Sequence, residues 1–548
     1  MDDAGLHEQI RPVPASIPDA EQDGSKDDIS IQVDPARLDD KQGLSLNVDL
    51  HPNTSHEHTG HHHAEVRARH RYTIRRPRAL QFSYRRQVVH AGDERGARES
   101  AGRSSISSHL PEDIAKERER LDLFIDLIWV GIIGNLSEVF SSLGFRPEDP
   151  DLGLAALVFI LVFLPSWRIW DAMREFLNNY YMDDMVQRAF TLWVLVLSVF
   201  YGNQLAYLTE NIDEVKQWVI STYLVIFGAF GLIELAYSVF IKWLRKLVIL
   251  QTILRLRSIA LWVVAIEVSG ARAIGPVCGA IFWEYLCPVI IESQLTETLT
   301  PIEVRKALDV HHFQSRMSNF FIIILGEGVL QLIKDGPLGL GLRGSTGDMV
   351  WILLIYYEFS FLYFNRDGSM TFVPAATHKG KKTLTWVFWH IPLFSSILTF
   401  ASSVMFIIRH QPDAPYTSSP AAGASSEGQI APDDLPRYMY RAVWTCATSL
   451  GIIMLSMTAL ALLDKSLDEP ATLKINNRYI RLSGRAVFIV VIVCVPATPN
   501  IGAGLFLGIA ACMLLGVTVW EWNVGLDRGG ALIEPLGLTH MMSRELKT

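Results

Sequence analysis

Charged residues are scarce in this 548-residue chain, 19 % of the total, against about a quarter in an ordinary soluble domain. The scarcity is uneven. The first 115 residues are strongly polar, so nearly all the apolar weight falls after Leu121. Cysteine is sparse as well. Cys278, Cys287, Cys446, Cys494 and Cys512 lie in or beside apolar runs without paired spacing, which excludes a disulfide framework and a cysteine zinc site. No phosphate-cradling glycine loop, nucleophile elbow or zincin helix occurs. The opening residues are acidic and polar, so no secretory signal is expected, and the first spanning helix is expected to direct insertion. A net charge of −8 is small for this length and says little about partners; no nucleic acid is expected among them. No cofactor is called for. The partners expected are membrane lipids and a small molecule or ion whose identity, like the oligomeric state, the residues leave open.

Long apolar runs are abundant. Mean hydropathy is +0.22 over the whole chain, and the runs reach the roughly 20 residues that cross a hydrocarbon core of about 30 Å. Spans are predicted near 121–140, 152–172, 187–208, 217–240, 252–269, 273–292, 312–333, 347–365, 384–408, 438–463, 485–499 and 501–522. The fold class is therefore all-α, a polytopic membrane bundle of about twelve helices. Eleven remain open, because Arg255 and Arg257 interrupt the fifth and Pro496 and Pro499 break the eleventh.

Three segments follow: a tail over 1–115, the helical domain over 116–525 and a short C-terminal tail over 526–548. The N-terminal tail has no apolar periodicity and cannot bury enough surface to order itself. It is acidic, then basic from Arg67 to Arg86, and the basic part either touches anionic lipid or is simply solvated. His56, His58, His61, His62 and His63 within it are weak candidates for loose metal binding; no other metal site is expected. With a cytoplasmic N-terminus, the inside connections collect Lys242, Arg245, Lys246, Arg255, Arg257, Arg366, Lys379, Lys381, Lys382, Lys465, Lys474, Arg478, Arg481 and Arg485. The outside ones carry far fewer. That bias places both termini in the cytoplasm and makes 411–436 an outer loop. It does not distinguish the plasma membrane from an endomembrane.

The informative features are polar residues that a bilayer normally excludes. A charge near the bilayer centre costs at least about 2.5 kcal/mol, so it persists where it lines a cavity or meets a partner. The first span carries Asp122, Asp126, Asn135 and Glu138, the seventh His312, Arg316 and Glu327. At 100° per residue, His312, Arg316, Asn319, Ile323 and Glu327 share an arc of roughly 80°, with Glu327 about 22 Å deeper than His312. The seam reads either as a proton or ion path, with Glu327 titrating and His312 gating the mouth, or as interhelical ion pairs that fix packing. Gly131, Gly134, Asn135 and Glu138 share another face, where small residues admit a neighbouring helix. Asp122 and Asp126 lie near the helix start, where capping is the plain alternative. Arg168, Asp171 and Glu175 can pair among themselves. Glu234, Glu267, Glu284, Glu358 and His390 stand singly in apolar runs. A carboxylate late in the first and seventh spans, each followed by an aromatic stretch ending in Asn178 or Asn365, hints at two six-helix halves.

The segment DLFIDLIWVGIIGNLS, Asp122 to Ser137, resembles the first-helix motif ELFFDLVFVFALTQLS of the low temperature requirement A family. HFQSRMSNFFIIILGEG resembles the family stretch HLVERFGLFTIIVLGES at His312, Arg316, Gly326 and Glu327. It departs at Ser315, where the family has an acid, and at Gly328, where it has Ser. Weaker matches are Asp183-Asp184, LYFNRD ending at Asp367, and His390 in FWHIPLF. The long tail and outer loop are similar to fungal-type members. The resemblance implies a multi-pass membrane protein; the family name records a cold-growth phenotype and implies no reaction.

A secondary, proton-coupled transporter is the leading expectation, with Asp126, Asn135, Glu138, His312, Arg316, Glu327 and His390 as path candidates and no catalytic residue. The rivals are an integral membrane enzyme acting on a lipid or small apolar substrate through an intramembrane carboxylate, and a membrane sensor or scaffold that uses the tail as its arm.

Overall fold

A computed structural model describes residues 112–145, 152–180, 184–291, 310–334, 337, 341–342, 344–365, 372–373, 381–410, 435–466, 475, 477–498 and 501–525. Residues 1–111 with the histidine tract, most of the 411–436 loop, Asp183, Asp367 and the 526–548 tail lie outside the described residues.

Among the described residues, twelve helices are long and apolar enough to cross a membrane. They are α1 (Glu112–Gly144), α2 (Leu152–Tyr180), α3 (Met185–Leu205), α4 (Ile212–Phe240), α5 (Arg245–Glu267) and α6 (Ile274–Ile291). Then come α7 (Val310–Ile333), α8 (Gly344–Asn365), α9 (Lys381–His410), α10 (Leu435–Leu463), α11 (Ser483–Cys494) and α12 (Ala503–Gly525). The fifth span is continuous despite Arg255 and Arg257. The eleventh is completed by the turn Arg478–Arg481 before it and the 3-10 segment Val495–Ala497 after it. The protein is an integral, multi-pass, all-α membrane protein. The other regular pairing among the described residues is a two-residue antiparallel bridge, Phe372–Val373 with Lys465–Ser466.

Local chemistry sets several boundaries. Asp184 caps α3 by accepting the Gln187 N–H at 2.8 Å, and Asn211 caps α4 by accepting that of Glu214. Gly270, with φ of +65°, makes the turn from α5 to α6, and Asp213 accepts its N–H at 3.0 Å. α1 begins nine residues before its predicted start. Asp122 and Asp126 are therefore well inside the helix, and the capping reading fails on geometry: a cap acts on the first turn, which here starts at Glu112.

α9 is the most buried span and packs against α10, α1, α7 and α2, while α5 and α6 are the least buried. α1 also touches α2, α3 and α7. The core between them is aromatic: Trp167, Trp170, Phe320 and Phe394 meet with ring centroids 4.3–5.7 Å apart. Close backbone approach accompanies it. A Cβ at Gly202 of α3 would lie 2.8 Å from Ile132 of α1, and Asn135 donates to the Gly202 carbonyl at 2.8 Å.

Candidate functional site

α1, α2 and α7 converge on a buried ionic cluster. Arg316, 1 % exposed, donates through Nη1 to Asp126 Oδ2 at 2.7 Å and to the Asp122 carbonyl at 2.7 Å. Trp170 of α2 donates its indole N–H to Asp126 Oδ1 at 3.0 Å, and its ring lies 5.5 Å from the Arg316 guanidinium. His312 Nε2 meets Asp122 Oδ2 at 2.6 Å. The missing acid at position 315 is thus made good from α1: Arg316 takes its carboxylate from another helix. Among the described residues, Arg316 Nε and Nη2 and Asp122 Oδ1 have no hydrogen-bond partner although buried. Asp122 Oδ1 keeps a longer ion-pair contact to Arg316 Nη1, 3.7 Å, and buried polar atoms without a hydrogen bond leave the cluster with capacity for water or an ion.

The cluster continues along α2. Asp171 accepts from Arg168 at 2.9 Å and from Arg174, and the Arg174 guanidinium lies 4.2 Å from the Phe313 ring of α7. Asp171 therefore joins Arg168 to Arg174 within one helix, and Arg174 leads on to the Arg316 environment.

Glu327 lies on α7 eleven residues beyond Arg316, about 16 Å along the helix. It is 3 % exposed. Its hydrogen bond comes from Gln331 Nε2 at 2.8 Å, and among the described residues no cation is bonded to it; Lys334, exposed at the helix end, acts on it through space. Glycines make its room. A Cβ at Gly134 of α1 would lie 3.0 Å from Glu327 Oε1. A Cβ at Gly328 would overlap the Tyr356 ring and hydroxyl, so any side chain there requires Tyr356 to move. That hydroxyl is buried and has no hydrogen-bond partner.

His390 is buried on α9. Its Nδ1 faces the Trp386 carbonyl at 2.8 Å and its Nε2 the Tyr363 hydroxyl at 3.1 Å. It borders a cavity of about 170 Å³ lined also by Gln314, Tyr363, Trp386 and Asp464. Asn135 is spent on the Gly202 carbonyl. Gly131 and Glu138 are exposed and face away from the others. Of the small-residue face expected on α1, Gly134 alone receives a neighbouring side chain. The structure thus brings Asp126, His312 and Arg316 together, sets Glu327 and His390 apart from them, and leaves Glu138 outside. Among the described residues no three His, Cys, Asp or Glu side chains are placed to hold a metal.

Several members escaped sequence reasoning. Trp170 and Arg174 are not among the residues that the sequence singles out. Arg485, counted among the loop cations, is fully buried and bonded to Glu521 of α12 at 2.5 and 2.9 Å. Opposite charges at the same end of neighbouring spans were the available signal. Arg255 is bonded to Glu234 at 3.1 Å, and Glu358 accepts from Thr518.

The family model described as bacterial low temperature requirement A protein matches residues 119–520. No curated protein and no solved structure matches the chain.

Proposed function

The chain belongs to the low temperature requirement A family, and on that premise we propose that it is a secondary transporter coupled to protons, with Glu327 as the carboxylate that takes up and releases them. The observation that carries this reading is the solitude of Glu327. It is buried in a spanning helix, holds one neutral hydrogen-bond donor and, among the described residues, is bonded to no cation. The competing explanation, an ion pair with Arg316, loses its partner because Arg316 is committed to Asp126. A carboxylate in hydrocarbon without a cation is costly as an anion, and a proton supplies the missing charge.

The Asp122–His312 and Asp126–Arg316 pairs serve as the gate at the other end of α7, which we assign to the cytoplasmic face from the loop charges. Both termini then face the cytoplasm. The site lies where α1 meets α7 and α9, which supports two halves, α1–α6 and α7–α12, closing around it. The enzyme reading draws on the crowding of Asp122, Asp126, His312 and Arg316 at one depth, as a reaction centre requires.

Purified protein in liposomes loaded with a pH-sensitive dye, screened against candidate solutes, tests the proposal. A solute gradient should drive proton movement, and Glu327→Gln should abolish it while stability stays within about 1 kcal/mol of the parent. Retained proton movement in that variant rules out Glu327 as the carrier. Conversion of the solute without flux favours the enzyme.

A further inference from the structure

Glu284 has no part in the arrangement above. It lies on α6, about 15 Å from one end of the helix and about 10 Å from the other, and is 4 % exposed. The Tyr223 hydroxyl of α4 donates to its Oε2 at 2.5 Å. The Ser258 hydroxyl and the Trp262 indole N–H, both of α5, donate to its Oε1 at 2.5 and 2.7 Å. All three donors are neutral. Pro288, which has no N–H, also releases the Glu284 carbonyl four residues earlier from its helical bond.

The charges around it are engaged elsewhere. On α2, Arg168 is close enough to act on both Tyr223 and Glu284, but it is bonded to Asp171. On α5, Arg255 is bonded to Glu234 of α4. On α6 itself, Tyr285 donates to the Leu164 carbonyl at 3.1 Å, and Cys287 lies within electrostatic reach. α9 meets α6 there through Phe388, against Tyr285.

We propose that Glu284 is a second proton-binding carboxylate, and that Tyr223 changes from donor to acceptor when the proton arrives. The donor chemistry fixes where the proton goes. An indole N–H can only donate, so Trp262 together with Ser258 holds Oε1 as an acceptor. The proton adds to Oε2, the new O–H donates to the Tyr223 oxygen, and the phenol hydrogen rotates off the carboxylate. The proton comes from water and returns to it; no other bond changes. Nothing in this site depends on Glu327 or on transport.

Infrared difference spectra of the full chain in liposomes, recorded across a pH titration, test the assignment through the carboxylic-acid C=O stretch. Glu327 and the exposed carboxylates give bands of their own, so the assignment is read from the difference between proteins. One pH-dependent band of the parent is expected to be kept in Glu327→Gln and lost in Glu284→Gln. The Gln side chain keeps every contact, its oxygen accepting from Ser258 and Trp262 and its amide donating to the Tyr223 oxygen, so that variant should fold. Tyr223→Phe gives an independent reading: the band should persist at a shifted frequency, since its partner is gone. A parent without the band, or a band unchanged in Glu284→Gln and unshifted in Tyr223→Phe, overturns the proposal. Should Glu284→Gln fail to fold, the Tyr223→Phe spectrum decides alone. Absence of transport leaves these spectra untouched, so the two readings fail separately.

Discussion

Replacing Arg316 by methionine removes the cation bonded to Asp126, which is fully buried and, among the described residues, then keeps the Trp170 N–H alone. An uncompensated buried charge costs about 3–5 kcal/mol. The single variant should therefore lose that much stability in a detergent unfolding titration. Adding Asp126→Asn removes the stranded charge and should recover part of the loss; a double variant no better than the single would mean that the pair contributes nothing. Glu327→Gln makes the opposite case, since no cation is stranded when its charge disappears. Gly328→Ala drives a methyl group into Tyr356, and overpacking of this kind costs about 1–3 kcal/mol. At this scale the same residue type gives different outcomes, because the consequence of removing a charge depends on which partner stays behind.

Between elements, the approach of α1 to α3 rests on the missing side chain of Gly202, whose carbonyl also receives Asn135. Gly202→Leu should push the two helices apart and break that bond, with a fall in thermal stability. Gly131→Leu, on the same α1 but with nothing within 4 Å of its added carbon, should leave stability close to the parent. Equal losses from the two substitutions would show that the contact with Ile132 does not govern stability, since Leu is the better helix former at both positions. The Arg485–Glu521 pair ties α11 to α12 in the same way, with Arg485 reaching also to the Leu362 carbonyl of α8 at 3.3 Å.

For the whole molecule, the loop charges predict both termini on the cytoplasmic side and the connection between α9 and α10 on the other. Tags at either terminus and one placed near position 420 should label from opposite sides of the membrane; termini on different sides would require an odd number of crossings. Residues 1–105 have no apolar face to dock on the bundle, so their deletion should leave a monodisperse, correctly inserted protein. Aggregation of the truncated chain would show that the tail stabilises the bundle after all.

The twelve crossings were legible in the sequence because the length and polarity of a run decide whether it can cross hydrocarbon, and both are local properties. Arg255, Arg257 and the prolines at 496 and 499 did not overturn them. The polar residues themselves were equally visible, since Asp122, Asp126, His312, Arg316 and Glu327 stand out against apolar neighbours. Their partners were not. Helical periodicity orders residues around one axis and is silent on which face of which other helix arrives there. Only packing decided them: α1 and α2 against α7 gave Arg316 to Asp126 and left Glu327 with Gln331 of its own helix, while α4 and α5 against α6 surrounded Glu284 with Tyr223, Ser258 and Trp262. Apart from the Glu327–Gln331 bond within α7, those contacts join residues 22 to 190 positions apart, and they exist only once the helices have met.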